Sequence, residues 1–486
     1  MSQFKPIEFY QHKQIGRYRL LPFRFSPFDD LTYLLTNQVG EYIRLPRDEV
    51  VRVVKREVLA EEPLYQDLKS KHFIFDDESD LALNLLGLKA RTKLHQLSSF
   101  TALHMIVVTL RCEHSCPYCQ VSRQSEDRSS FDMSLSTADR TLELIFRSPS
   151  PSIKIEFQGG EPLLNFELIK HIVREAKRIN IEANRDLEFV IATNLALIND
   201  EILEFCRSHE ILISTSLDGP KELHNRNRPR PGGDSYQRTI AGILKARDVL
   251  GKDRVSALMT TSPASIDNVK SIIDEYVALN FDGIFLRSLS PYGFAVKTGW
   301  FQSYSTDRWL EFYKEGLDYI IELNRKGVFF VEQHAATLLT KLLTPFDTRF
   351  VDLMNPAGIG IAGVIYNYDG DVYPSDEARM IAEMNDKKFR MGNVNKNTYD
   401  EIFMSETFLE ALESSFTLSA PMCADCAYEP FCGADPVYHY QTQGDLVGHK
   451  PSSGFCKKNM SLLQVLIRKL DEDKETRRIL YSWVAN

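Results

Sequence analysis

The sequence predicts an α/β fold in which six βα units curl a parallel sheet into a partial barrel, with a small α+β unit before it and a cysteine-rich extension after it. Three observations carry this reading. Six short β-rich runs alternate with amphipathic segments between residues 101 and 325. A CxxxCxxC group, a Gly-Gly pair and an aspartate each follow one of those runs directly. From residue 355 onward the pattern changes to a hairpin, a helical stretch and a second group of cysteines.

Residues 1–95 form the first unit. Runs 18–25, 31–36 and 41–45 are rich in β-formers, and 37–40 supplies turn chemistry between the last two. After Pro46 a helical pattern sets Val50, Val51, Val53 and Val54 on one side. A short sheet with helices suits a peptide-docking module; the alternative is a structural extension packed on the main domain.

Strands of the barrel, 101–325, are expected over 105–110, 153–157, 189–193, 211–217, 255–259 and 283–286. Amphipathic segments lie between them, one carrying Ile169, Ile172, Val173, Ala176 and Ile179, another Val269, Ile272, Ile273, Tyr276 and Val277. Reactive groups of such barrels gather at the carboxyl ends of the strands. The extension, 355–460, begins with a hairpin over 364–374 turning at Asp369 and Gly370, followed by a helical stretch over 399–414 and the cysteine-rich segment 423–456. A carboxyl-terminal helix closes the chain over 461–486.

Composition excludes several classes. The 486 residues are 43% hydrophobic and 26% charged, an ordinary globular balance. A net charge of -9 offers no basic balance for a phosphate backbone, so no nucleic-acid partner is expected. The opening MSQFKPIEFY lacks a charged-then-apolar signal, and no run approaches the ~20 apolar residues of a membrane span. A cytoplasmic protein without a membrane partner is the expectation.

Seven of the eight cysteines form two groups: Cys112, Cys116 and Cys119, then Cys423, Cys426, Cys432 and Cys456. Disulfides fit poorly, because nothing directs the chain to an oxidising compartment and the first group is odd in number. Thiolates are soft ligands, so zinc or an iron–sulfur cluster is the better reading. Three thiolates at this spacing can hold one corner of a 4Fe–4S cube and leave its fourth iron open. The alternative is a zinc site completed by a histidine such as His114. Cys206 stands among Ile202, Leu203 and Phe205 and reads as a buried core thiol.

The stretch from Arg111 to Gln120, with FQGGEP at 157–162, resembles the radical S-adenosylmethionine (SAM) enzymes. That resemblance implies a 4Fe–4S cluster whose open iron chelates SAM and whose electron releases a 5′-deoxyadenosyl radical. It implies contact of Gly159, Gly160, Glu161 and Pro162 with the methionyl amine, with Glu161 accepting from the ammonium. Tyr118 resembles the aromatic residue near adenine. Thr193 ends a strand where the family places ribose-contacting groups. Ser216 and Arg228, in a run resembling SxDGP…H…R, match groups that meet the ribose or carboxylate; Asp218 has the alternative of holding the turn before Gly219.

The CxxC-x5-C trio, with Cys456 a further 24 residues on, resembles the SPASM extension of peptide and protein maturases. Fuller versions carry two auxiliary clusters. Here Ser375 and Pro436 stand where one cluster's ligands would be, while Cys423, Cys426, Cys432 and Cys456 match the other. The resemblance therefore implies one auxiliary 4Fe–4S cluster, with a four-cysteine zinc site as the alternative. In sulfatase-maturing relatives an aspartate at the place of Asp376 acts as general base; Glu377 competes with it for that role.

Whole phrases such as YNYDGDVYPSDEARM and FLRSLSPYGFA are similar to the His-Xaa-Ser system radical maturases. The expected function is crosslinking or oxidation of side chains in a ribosomally made partner peptide bearing His-Xaa-Ser repeats, with an electron donor such as flavodoxin or ferredoxin. The alternatives are a zinc-bearing peptide-binding scaffold without turnover, and a protein-maturing enzyme of the sulfatase-maturing type.

Overall fold

The computed structural model describes residues 18–76, 80–348, 350–355 and 358–484. The segment read above for a targeting signal lies outside them, as do the last two residues of the expected carboxyl-terminal helix. Short strands come first: β1 (Arg19–Leu20), β2 (Phe23–Pro27), β3 (Thr32–Asn37), β4 (Tyr42–Pro46) and β5 (Ile74–Phe75). β2, β3 and β4 make an antiparallel sheet, and β1 pairs with β5. Gly40, at φ 90°, makes the turn between β3 and β4 by donating its N–H to the Asn37 carbonyl.

The helix Arg47–Lys55 follows as expected, but its face is narrower. Val50 and Val53 are buried, whereas Val51 and Val54 are 42% and 50% exposed. Successive helical residues point about 100° apart, so the i, i+3 pair makes the core stripe and its neighbours turn outward. These residues share a core with Tyr18, Leu35, Leu68 and Phe73.

The antiparallel sheet docks on the cysteine-rich loop. Arg24 donates through Nε to the Ala424 carbonyl at 2.6 Å and pairs with Glu429 at 3.3 Å. Thr36 donates to the Ala427 carbonyl at 2.7 Å.

Five strands, β6 (Leu103–Thr109), β7 (Ser152–Gly159), β8 (Asp186–Thr193), β9 (Leu212–Ser216) and β10 (Val255–Leu258), are parallel neighbours in sequence order. In β7, Ile153, Ile155 and Phe157 are buried in one core with Leu142, Ile169 and Val173 of the covering helices. Lys154, Glu156 and Gln158 occupy the opposite face. The Lys154 side chain, near the start of the strand, is 43% exposed, whereas Glu156 and Gln158 further along the same face line a cavity.

Two features of the sheet differ from a regular barrel of six units. The sixth strand, β11 (Gly283–Ile284), pairs with β12 (Val331–Glu332), and among the described residues the strand pairing that links that region to the end of β10 is an isolated bridge, Thr261 to Ser288. The opposite edge is extended instead. β13 (Gly363–Tyr366) runs parallel to β6, with Ile365 facing Met105, and continues antiparallel into β14 (Asp371–Tyr373) and β15 (Gly392–Asn393). The predicted hairpin, turning at Gly370 with φ 84°, is thus part of the central sheet.

Side-chain caps set the helix starts: Ser134, Asn199, Ser305 and Ser453 each accept an N–H of the first turn, about 1 kcal/mol apiece. Two single helices expected from the sequence are divided. The 399–414 stretch is Tyr399–Phe403 and Glu406–Ser414, the second capped by Ser405. The carboxyl-terminal helix is Gly454–Glu472 followed by Lys474–Ser482, because Asp473 turns extended and caps the second with a bond from the Thr476 N–H. Cys206 is fully buried on the helix Asp200–His209, as the apolar neighbours required.

Candidate active site

At the carboxyl edge of the sheet, β6 and β7 hold the cysteine loop by main-chain bonds. Gly160 N–H donates to the Thr109 carbonyl at 2.9 Å and Glu161 N–H to the Arg111 carbonyl at 2.7 Å. A Cβ on Gly159 would lie 2.1 Å from the Thr109 oxygen, and one on Gly160 2.3 Å from the Arg111 oxygen. The glycines are needed because two backbones touch there. Arg111 anchors the loop's root, donating through Nε to Asp132 at 2.7 Å and through Nη2 to the Leu164 carbonyl at 2.8 Å.

A cavity of about 270 Å³ opens above this junction. Cys112, Cys116 and Cys119 line it, and so do Gly159 and Gly160. The ends of β8 and β9 contribute Thr193 and Ser216, and Tyr118, Arg228 and Asp376 complete the predicted set found there. Asp376 sits in the first turn of the helix Asp376–Ala382, whose cap is Ser375. Burial pushes the Cys116 thiol up to about 12 and the Cys112 thiol well above its usual range, so either binds as a thiolate only against a compensating positive charge.

Tyr118 and Arg228 meet on Asp218, which is fully buried. The Tyr118 hydroxyl donates to Oδ2 at 2.7 Å and Arg228 Nε to the same oxygen at 3.1 Å. The Arg228 guanidinium lies 5.5 Å from the Tyr118 ring centre, and Trp300 stacks near that ring at 6.2 Å. Asp218 therefore does more than hold a turn. It fixes an aromatic wall and a cation at the cavity's edge.

Glu161 and Pro162 do not line the cavity. Both are buried behind it, Pro162 opening a short 3₁₀ turn that Glu161 caps. The Glu161 carboxylate accepts from Leu163 N–H at 3.0 Å, the Thr193 hydroxyl at 2.7 Å and Asn194 N–H at 2.8 Å. It is spent on tying the β7 turn to the end of β8, and the main chain of Gly159 and Gly160 faces the cavity in its place. Burial, with the charge of Glu113 adding, raises Glu161 to about 8.

Zinc is a poor fit to either cysteine group. Among the described residues, the only three cysteine, histidine or carboxylate ligand atoms within 4.8 Å of one another belong to Cys112, Glu113 and His114. His114 has both ring nitrogens engaged, Nδ1 with Glu113 at 3.0 Å and Nε2 with Ser235 at 2.9 Å. Zinc–sulfur bonds of ~2.3 Å would bring the sulfurs to about 3.8 Å from each other. No three thiols of either group lie within 4.8 Å of one another, so neither group is gathered to that spacing. Cys423, Cys426 and Cys456 nevertheless lie close enough for their charges to raise the Cys432 thiol beyond what desolvation alone does.

Sequence reading passed over Glu156 and Arg287, both of which line the cavity. The signal for Glu156 was the alternation KIEFQ inside a strand that parallel pairing should make apolar on both faces. Burial raises its carboxyl, the charge of Asp376 contributing.

The chain matches the radical SAM superfamily over residues 106–275 and the iron–sulfur cluster-binding SPASM domain over residues 363–427. It is a SPASM-containing radical SAM enzyme. Its radical SAM domain implies a 4Fe–4S cluster with SAM, and its SPASM domain implies auxiliary iron–sulfur binding.

This radical SAM enzyme is 35% identical over 150 residues to an uncharacterized protein of Methanocaldococcus jannaschii, covering 30% of its own length and 50% of that protein. It is 24% identical over 350 residues to a cysteine-type anaerobic sulfatase-maturating enzyme of Clostridium perfringens, covering 66% of itself and 84% of the relative. Two solved structures share its fold. Native anSMEcpe with bound AdoMet and Cp18Cys peptide superposes with a TM-score of 0.62 at 19% identity, over 78% of this chain and 100% of that one. Streptococcus suis SuiB bound to precursor peptide SuiA gives 0.54 at 15% identity, over 89% and 98%. No helix among the described residues is long and apolar enough to cross a membrane.

Proposed function

We propose that this enzyme is a peptide maturase: it generates a 5′-deoxyadenosyl radical and crosslinks or oxidises side chains of a ribosomally made peptide, one with His-Xaa-Ser repeats. One observation carries the reading. The three thiols of CxxxCxxC, the paired glycines, the polar ends of β8 and β9 and the carboxylate of Asp376 all line a single cavity. The sequence relative named a sulfatase-maturating enzyme and the two peptide-bound structures of like fold support a peptide substrate.

In this reading Cys112, Cys116 and Cys119 hold the first 4Fe–4S cluster, and Cys423, Cys426, Cys432 and Cys456 hold one auxiliary cluster. When bound, the first group supplies the electron that cleaves SAM, and the second, lacking a vacant iron, serves electron transfer or structure. The protein's own residues orient and protect. The main chain of Gly159 and Gly160 meets the methionyl end of SAM, Tyr118 packs against its adenine, and Thr193, Ser216 and Arg228 meet its ribose or carboxylate. Asp376 takes the proton that the substrate sheds on oxidation. The amino-terminal sheet docks the peptide, and a donor such as flavodoxin or ferredoxin supplies the electrons.

Anaerobic incubation with SAM, reductant and a synthetic His-Xaa-Ser peptide, followed by mass spectrometry, tests this. The expected product has lost two hydrogens, with 5′-deoxyadenosine released. An unaltered peptide that also takes up no deuterium, beside active SAM cleavage, contradicts the substrate assignment.

A further inference from the structure

A second cavity of about 270 Å³ lies beside the first, and none of the residues assigned above accounts for it. The two meet at the helix Asp376–Ala382: Asp376 lines the cysteine cavity, and the next residue, Glu377, lines the second. Asp352 and Asp435 line it as well. Among the described residues neither of these aspartates has an ion-pair partner within 4.0 Å, and Glu377 has only Arg287, at 4.0 Å. Lys458 is the lone amine on the wall, against three carboxylates.

The aromatic side of this cavity has unused polar groups. Tyr292 and Trp309 line it, each 1% exposed, and neither the tyrosine hydroxyl nor the indole N–H has a hydrogen-bond partner among the described residues. A buried polar group left without a partner costs about 1–3 kcal/mol; a donating cation recovers that cost at the Tyr292 hydroxyl but not at the donor-only indole of Trp309, which contributes only an aromatic wall. Tyr292 is the more telling, because its hydroxyl can accept as well as donate.

We propose that this cavity takes a basic side chain of the substrate peptide, set against Asp352, Glu377 and Asp435 and walled by Tyr292 and Trp309. The assignment rests on the peptide-maturase reading and deepens it: the residue modified lies beside a lysine, arginine or histidine. A single metal ion does not suit the site, because no three of its ligand atoms fall within 4.8 Å of one another. An organic cation with several separated donors does, and the aromatic faces favour it further. Burial raises all three carboxyls, Asp435 to about 7, with neighbouring carboxylates adding to it and Lys458 offsetting only part of it at Asp352 and Asp435.

The test uses the full-length, anaerobically reconstituted enzyme with SAM. Calorimetry would compare acetyl-Gly-Xaa-Gly-amide probes in which Xaa is lysine, arginine, histidine or norleucine. At least one basic probe should bind about tenfold more tightly than norleucine, and Glu377→Gln and Asp435→Asn should each remove most of that preference. Asn at 435 keeps the oxygen that caps the helix Pro436–Gln443, and circular dichroism checks the fold of both variants. Equal binding of norleucine, or a preference unchanged in both variants, overturns the assignment. SAM cleavage is scored separately. An enzyme that cleaves SAM but ignores the basic group refutes the cavity alone, whereas a basic preference without cleavage refutes the maturase reading and leaves the cavity standing.

Discussion

The hydroxyl of Tyr118 donates to the buried carboxylate of Asp218 at 2.7 Å, joining the cysteine loop to the turn after β9. Arg228 completes the group from the other side at 3.1 Å. Asp218→Asn leaves the Arg228 cation buried without its counter-charge, an expected loss of about 3–5 kcal/mol in urea unfolding. Tyr118→Phe removes one hydrogen bond and keeps the ion pair, and should cost about 1–2 kcal/mol. A Tyr118→Phe loss equal to that of Asp218→Asn would mean that the carboxylate is not the hub.

Gly160→Ala should dislodge the cysteine loop, because its new Cβ would meet main-chain oxygens at 2.3 and 2.5 Å that have no freedom to move aside. Iron bound after anaerobic reconstitution should fall by about half, with SAM cleavage lost. Gly87→Ala is the control. It lies on the exposed helix Leu81–Leu94 with nothing within 4 Å, and should gain about 0.5–1 kcal/mol.

Much of this was legible in the sequence, for reasons that differ by element. The strands β6 to β10 announce themselves because each sets β-branched, aromatic or other apolar residues toward the core, and CxxxCxxC and FQGGEP follow two of them. The placement of β11 was not legible: two residues, Gly283 and Ile284, carry no pattern that names Val331 as their partner. The addition of β13 to β6 was hidden for the same reason, since a hairpin motif is local and the pairing of Ile365 with Met105 is not. At the site, residue types and spacing located the thiols and glycines. They could not tell that Glu161 faces Thr193 and Asn194, because that depends on how two strand ends are aligned.

Four of the buried histidines make acid stability a further test. Burial lowers His104 and His439 to about 4, and His224 and His334 to about 3. Below the ordinary value near 6.5 the unfolded chain takes up protons that the folded one refuses, so stability falls as pH drops from about 6.5 toward 4. Each contributes a slope of about 1.4 kcal/mol per pH unit at the lower end. His104→Leu gives up the bonds to Tyr366 and the Thr101 carbonyl but should flatten the slope between pH 6 and 4.5 by about that amount. Urea midpoints measured across that range decide it; an unchanged slope would show that His104 ionises in the fold.

Arg24→Ala removes both the bond to the Ala424 carbonyl and the charge facing Glu429, whose side chain is 1% exposed. Leaving that carboxylate unpaired should cost about 3–5 kcal/mol. The damage should be local, with the 423–432 loop losing its iron on mild chelation before the 112–119 loop does. Simultaneous loss from both loops would contradict the docking role of the amino-terminal sheet.

The measurement that bears most directly on the central claim is electron paramagnetic resonance of the reduced enzyme with and without SAM, alongside iron and sulfide analysis. Wild type should hold about eight iron per chain, and each variant with one cysteine group changed to alanine about four. SAM should shift the spectrum of wild type and of the variant lacking Cys423, Cys426, Cys432 and Cys456, and leave the variant lacking Cys112, Cys116 and Cys119 unchanged. Stoichiometric zinc without iron, or a spectrum indifferent to SAM with all three amino-terminal thiols in place, would contradict it.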